Sequence, residues 1–191
     1  MSTLIVTPKF RVSYPHVFRP KLNNLSKKME YSVVAVFPLK TDFKKFEETI
    51  KKVIEEKWPD PKKRPKNIQM PLKDNALRAD KETGKLAPPY EEGGFHMNLV
   101  SKPKNDGTPA TRPGVVNQQA QPIMDEAEFY PGCFAQARIS VFAWEYAGKF
   151  GVGVGLDSIQ KVAEGAPLTS RIKAEDFFKP VEEEESDDLY T

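Results

Sequence analysis

Residues 129–162, FYPGCFAQARISVFAWEYAGKFGVGVGLDSIQKV, decide the fold. From Phe134 to Tyr146 the odd positions are Ala135, Ala137, Ile139, Val141 and Ala143, and the even ones are Phe134, Gln136, Arg138, Ser140, Phe142, Trp144 and Tyr146. Alternation with period two over this length predicts a strand with two unlike faces. Ala147-Gly148 supplies a two-residue loop of the kind hairpins favour. A turn there sets Ala143 opposite Val152, Val141 opposite Val154 and Ile139 opposite Leu156, which makes a core face. The same register sets Trp144 across from Gly151 and Phe142 across from Gly153, large rings over residues with no side chain. An odd-length loop would put aliphatic residues against those glycines and leave the core face half empty.

The ring-bearing face also holds Arg138 and Gln136. Rings stack on unpaired bases of any sequence and guanidinium groups meet phosphates, so this composition suits a surface for single-stranded nucleic acid. The competing reading packs the same rings under a loop or a second layer of the barrel.

Outward from the hairpin, Leu4 to Val12 is β-prone and Arg11-Val12-Ser13-Tyr14 runs into Pro15, where a first strand is expected to end or lie at an edge. Residues 22–29 are polar enough for a loop, and its Lys27-Lys28 pair faces either phosphate or solvent. A β-branched strand follows over residues 30–39. Thr41 or Asp42 is placed to N-cap a helix reaching Trp58, with Phe43, Phe46, Ile50, Val53, Ile54 and Trp58 on one stripe. Glu47 and Glu48 precede Lys51 and Lys52 by four residues, which stabilises an exposed helix face. Between Trp58 and Pro122 lie ten of the 17 prolines, so this region reads as long loops with short strands. Its basic segment, residues 57–66, bends repeatedly at a groove edge or in solvent. Residues 95–102 (FHMNLVSK) should form a strand that delivers Lys102 and Lys104 to one end, and Val115-Val116 a short one after Arg112-Pro113-Gly114. Residues 156–162 complete the sheet, and residues 174–180 make one helical turn.

The net charge of +2 conceals an asymmetry: residues 182–191 (EEEESDDLYT) hold −6, which leaves +8 on residues 1–181. A basic body with an acidic tail suits a nucleic-acid binder that regulates its own groove, or a domain with a solubilising tail. Beyond Pro180 no apolar pattern remains, and disorder is expected. Leu189-Tyr190 behind the acids resembles a partner-docking end, in which acids steer and an aromatic anchors.

Catalytic signals are weak. Gly151, Gly153 and Gly155 lack the spacing and following helix of a nucleotide loop, and no phosphate loop or nucleophile elbow occurs. Cys133 stands alone and far from His16 and His96, which gives no disulfide and no metal-ligand spacing, and it reads as a buried small residue. Adjacent acids such as Asp125-Glu126 and Glu91-Glu92 point to opposite strand faces. No apolar run reaches the roughly 20 residues of a membrane span and no secretion signal opens the chain, so a cytoplasmic protein without membrane partner is expected.

Several blocks carry a resemblance: RVSYPHVFRP (11–20), YSVVAVFPL (31–39), PLKDN (71–75), FHMNLVSK (95–102), RPGVVN (112–117) and residues 130–168, beginning YPGCFAQARISVFAWEY. In this order the chain resembles a family of bacteriophage single-stranded-DNA-binding proteins, typified by one from an enterobacterial siphophage. The resemblance implies an OB-fold-like β-barrel with an acidic C-terminal tail, acting in phage DNA replication in the host cytoplasm. The resulting expectation is a mainly β chain with one amphipathic helix and long loops: a barrel over residues 1–173 and a mostly disordered tail over 174–191. Bases would stack on Phe142, Trp144 and Tyr146. Phosphates would meet Arg11, Arg138, Lys149, Lys102, Lys104, Arg112, Lys62, Lys63 and Arg64. Glu182, Glu183, Glu184, Glu185, Asp187, Asp188, Leu189 and Tyr190 would compete for the groove and dock replication or recombination proteins. No cofactor, metal or catalysis is expected, and monomer and homodimer both stay open. The rivals are a virion-assembly or scaffold adaptor, which would not bind oligonucleotides, and a metal-dependent nuclease, which would degrade them.

Overall fold

The computed structural model describes residues 2–168. The nine strands are β1 (Thr3–Val6), β2 (Phe10–Leu22), β3 (Met29–Phe37), β4 (Ile68–Gln69), β5 (Leu72–Asp74), β6 (Phe95–Ser101), β7 (Gly114–Val116), β8 (Phe134–Tyr146) and β9 (Lys149–Ala163); the helix α1 spans Lys44–Lys57. They form one sheet in which β8, β2, β3, β6 and β9 follow one another and β9 pairs back onto β8. The sheet therefore closes into a five-stranded ring, with β1 and the short β4, β5 and β7 added at its margins. The expected mainly β barrel with one amphipathic helix is present.

The hairpin has the register that its alternation predicts. Ala143 pairs with Val152, Val141 with Val154, Ile139 with Leu156, Trp144 with Gly151 and Phe142 with Gly153. Ala147 and Gly148 form the turn with φ of 48° and 74°, the left-handed pair that matches the twist of the flanking strands. Ala135, Ala137, Ile139 and Val141 point inward and are buried, as are Phe10, Val12, Val33, Ala35, Met97 and Leu99 of the other ring strands. Phe46, Ile50, Val53 and Ile54 of α1 close one end of this core against β8. Each Phe, Val, Ile, Leu or Met among them contributes about 1.5–3 kcal/mol on full burial.

Three expectations needed correction. The N-terminal segment is two strands, because Pro8 lies between them and the amide of Thr7 bonds the carbonyl of Ala137 at 2.9 Å. Strand β2 does not end at Pro15; it continues to Leu22, because a bulge sets Tyr14 and Pro15 against the single residue Val33 and absorbs the missing donor. The helix starts at Lys44 with Phe43 at its N-cap and no side-chain cap, while Asp42 accepts the amide of Lys44 at 2.9 Å from just outside. The boundary at 173, the helical turn at 174–180 and the acidic tail lie outside the described residues.

Candidate nucleic-acid interface

The even face of β8 is the wall of an open groove of about 1190 Å³ that crosses β9, β6, β3 and β2. Phe142, Trp144 and Tyr146 line it, with Gly153 and Gly155 of β9 beside them. The glycines set the height of the rings. A Cβ on Gly153 would meet the Phe142 ring at 2.7 Å, and one on Gly151 would overlap the Trp144 indole. Both rings therefore lie down on β9 and turn a face toward the groove, while Tyr146 at the hairpin tip is 79% exposed.

Four cations line the same groove: Lys21 from β2, Lys73 from β5, Arg78 from the turn of 3-10 helix Asn75–Arg78, and Lys102 just past β6. Arg78 is aimed from below. The Asn75 side chain, fully buried, donates to the carbonyl of Glu91 at 3.0 Å and shares a 3.0 Å bond with Nδ1 of His96. Because Nδ2 of Asn75 is the donor to Glu91, its Oδ1 accepts, so His96 carries its proton on Nδ1 and offers Nε2 to Nε of Arg78 at 3.4 Å. Burial, then the nearby charges of Arg78 and Lys73, hold His96 down at a pKa of about 4, so the ring stays neutral and can accept. Arg78 also donates to Asn98 at 3.3 Å and lies over the Tyr90 ring. Burial and then Lys21 lower the pKa of His16, another groove residue. Glu30 reaches the groove as a buried acid, bonded by Asn23 at 2.6 Å.

Of the residues expected from the sequence, the structure brings together Phe142, Trp144, Tyr146 and Lys102. Lys149 sits at the hairpin tip beside Lys66 in an adjoining recess of about 320 Å³. The others stand elsewhere. Arg11 donates to the carbonyls of Gly132 at 3.2 Å and Ala166 at 2.6 Å, which ties the end of β9 to the barrel. Arg138 pairs with Asp157 at 3.6 Å away from the groove, and Arg112 lies over the Phe18 ring. Arg64 bonds the carbonyl of Trp58, while Lys62 and Lys63 are exposed in the same loop. Lys104 belongs to a turn closed onto Thr108. The tail residues 182–191 lie outside the described residues. Lys21, Lys73, Arg78 and Tyr14 also line the groove and were not singled out from the sequence, although Lys73 and Tyr14 stand within two of the blocks quoted above.

Among the described residues no three His, Cys, Asp or Glu side chains cluster as metal ligands, and no helix is long and apolar enough to cross a membrane. Burial pushes the Cys133 thiol up to a pKa of about 11, which leaves it a packing residue.

The family described as the single-stranded-DNA-binding protein of Enterobacter phage Enc34 matches residues 3–190. The chain belongs to this family. The Enc34 phage family assignment agrees with the solved structures it resembles. The single-stranded DNA-binding protein from bacteriophage Enc34, solved in complex with single-stranded DNA, superposes with a TM-score of 0.65 at 20% identity over 87% of this chain and 89% of that one. The same phage protein without DNA gives 0.63 at 19% identity over 92% and 90%. The gp2.5 single-stranded DNA-binding protein of bacteriophage T7 gives 0.54 at 15% identity over 89% and 97%. At these identities the structural likeness establishes the fold. No protein with a curated description matches the chain.

Proposed function

We propose that this chain binds single-stranded DNA without catalysis and largely without regard to sequence. The observation that carries this reading is the gathering of Phe142, Trp144 and Tyr146 with Lys21, Lys73, Arg78 and Lys102 in one open groove, on a chain of the Enc34 phage family. Rings supply stacking at about 1–3 kcal/mol per base, and the cations release counterions from the phosphates. The protein then serves phage DNA replication or recombination in the host cytoplasm. With the groove empty, the acids of residues 182–188 compete for its cations; bound DNA displaces them and leaves Leu189 and Tyr190 to dock a partner. The charge split along the chain supports this competition.

Fluorescence anisotropy of a labelled poly-dT oligonucleotide at two salt concentrations, with the full chain and with a variant ending at Pro180, tests the reading. Salt-sensitive binding that tightens on truncation is expected. Absence of binding by both forms would overturn it in favour of the adaptor reading, and magnesium-dependent loss of the oligonucleotide would favour the nuclease.

A further inference from the structure

Tyr14 stands where two clefts meet. Together with His16 it lines both the first groove and a second cleft of about 1030 Å³, whose wall continues along β2 to Phe18 and Arg19. Its backbone is unusual. With φ at 45° it occupies the left-handed region, which bulky residues adopt at a cost. It does so inside the bulge that sets Tyr14 and Pro15 against Val33, a device that re-aims side chains. Core packing does not repay that cost, since Tyr14 is 61% exposed. The fold thus holds an aromatic ring out in solvent, in a conformation glycine would adopt more readily.

The second cleft also sets aromatic residues beside cations. In its wall the half-buried Phe18 meets the core residue Phe129 edge to face at 6.4 Å, so Phe18 is the ring of that pair within reach of a base. The Arg112 guanidinium lies 5.4 Å over the Phe18 ring. Arg19 stands at the rim, paired with Glu126 at 3.1 Å and with a side chain 85% exposed. Rings bordered by exposed guanidinium groups are what unpaired bases and phosphates require.

We propose that the bound single strand does not end in the first groove. It passes over Tyr14, whose ring stacks a base at the crossing, and continues into the cleft of Phe18 and Arg19, where Arg19 exchanges Glu126 for a phosphate. The inference rests on the DNA-binding reading of the first groove. It gives this chain a footprint longer than the β8–β9 face alone, and it explains why a strained tyrosine is kept at the bulge.

The test uses the full chain, labelled oligo-dT of about 4 and about 16 nucleotides, the span of site sizes known for such barrels, and the variants Tyr14→Gly and Arg19→Ala. The long oligonucleotide should bind Tyr14→Gly about 5-fold or more weakly than the parent, while the melting temperature of this variant does not fall, because glycine relieves the backbone. Arg19→Ala should bind the short oligonucleotide as the parent does, and with the long one lose about 0.7 from the log–log salt slope. Parental affinity of both variants for the long oligonucleotide would overturn the proposal, as would a lowered melting temperature in Tyr14→Gly, which would assign the ring to packing. Failure of the parent chain to bind either length would instead remove the DNA-binding reading itself.

Discussion

The indole of Trp144 rests so closely on Gly151 that a Cβ there would lie 2.7 Å from its Nε1. This glycine is a spacer that fixes where the ring face stands. Gly151→Ala should cost about 1–3 kcal/mol or lift the indole off β9, as overpacking does elsewhere. Chemical denaturation reads the first effect and tryptophan emission the second, and weakened oligonucleotide binding should accompany either.

Removing the ring itself separates stacking from folding. Trp144 is only partly buried, so Trp144→Ala should remain folded while its affinity for poly-dT falls by about 5- to 150-fold, the equivalent of about 1–3 kcal/mol. Unchanged affinity in a folded variant would take Trp144 out of the stacking set.

Cations inside and outside the groove should differ in their salt signature. Arg78→Ala should reduce the log–log slope by about 0.7, and Arg138→Ala, whose arginine pairs with Asp157 away from the groove, should leave it unchanged. Arg78→Lys should restore little affinity, because an ammonium cannot reach His96 and Asn98 with the planar fork that aims the guanidinium. Titrations of the three variants across salt would decide this.

Stability should depend on pH through His96. Its folded pKa of about 4 lies below the ordinary 6.5, so between those values the unfolded chain binds more protons than the folded one. The contribution is complete above pH 6.5, declines as the pH falls toward 4, and is at most about 3 kcal/mol. His96→Gln should flatten that limb of the denaturation-midpoint profile.

Arg11 should behave as a structural residue. Arg11→Ala loses two bonds to carbonyls near the end of β9 and should destabilise the protein by about 1–3 kcal/mol while leaving oligonucleotide affinity intact. Parallel melting and binding curves check both halves.

Which parts of this were readable in advance follows from the range of the forces involved. The β8–β9 register was legible because period-two alternation and a two-residue turn are local, and they left one arrangement that buried Ile139 and Val141. The rings of the groove came with it. Of the expected cations Lys102 came with them and the arginines did not, because the partner of a guanidinium is set by tertiary neighbours: Arg11 finds carbonyls and Arg138 finds Asp157. Arg78 carries no local signal; its aim comes from His96, 18 residues away, and from the buried Asn75. Pro15 misled because a proline reads as a strand end, whereas a bulge lets the strand continue.

The ring joins an early strand to a late one: Phe10 of β2 pairs with Ala135 of β8, and the amide of Val12 bonds the carbonyl of Cys133. During synthesis, β1 and β2 must therefore wait for β8 and β9, with Phe10 and Val12 unshielded meanwhile. Contacts this distant along the chain place folding among the slow, non-local β topologies. The barrel's assembly is then a late event, completed only when nearly all the described residues have left the ribosome.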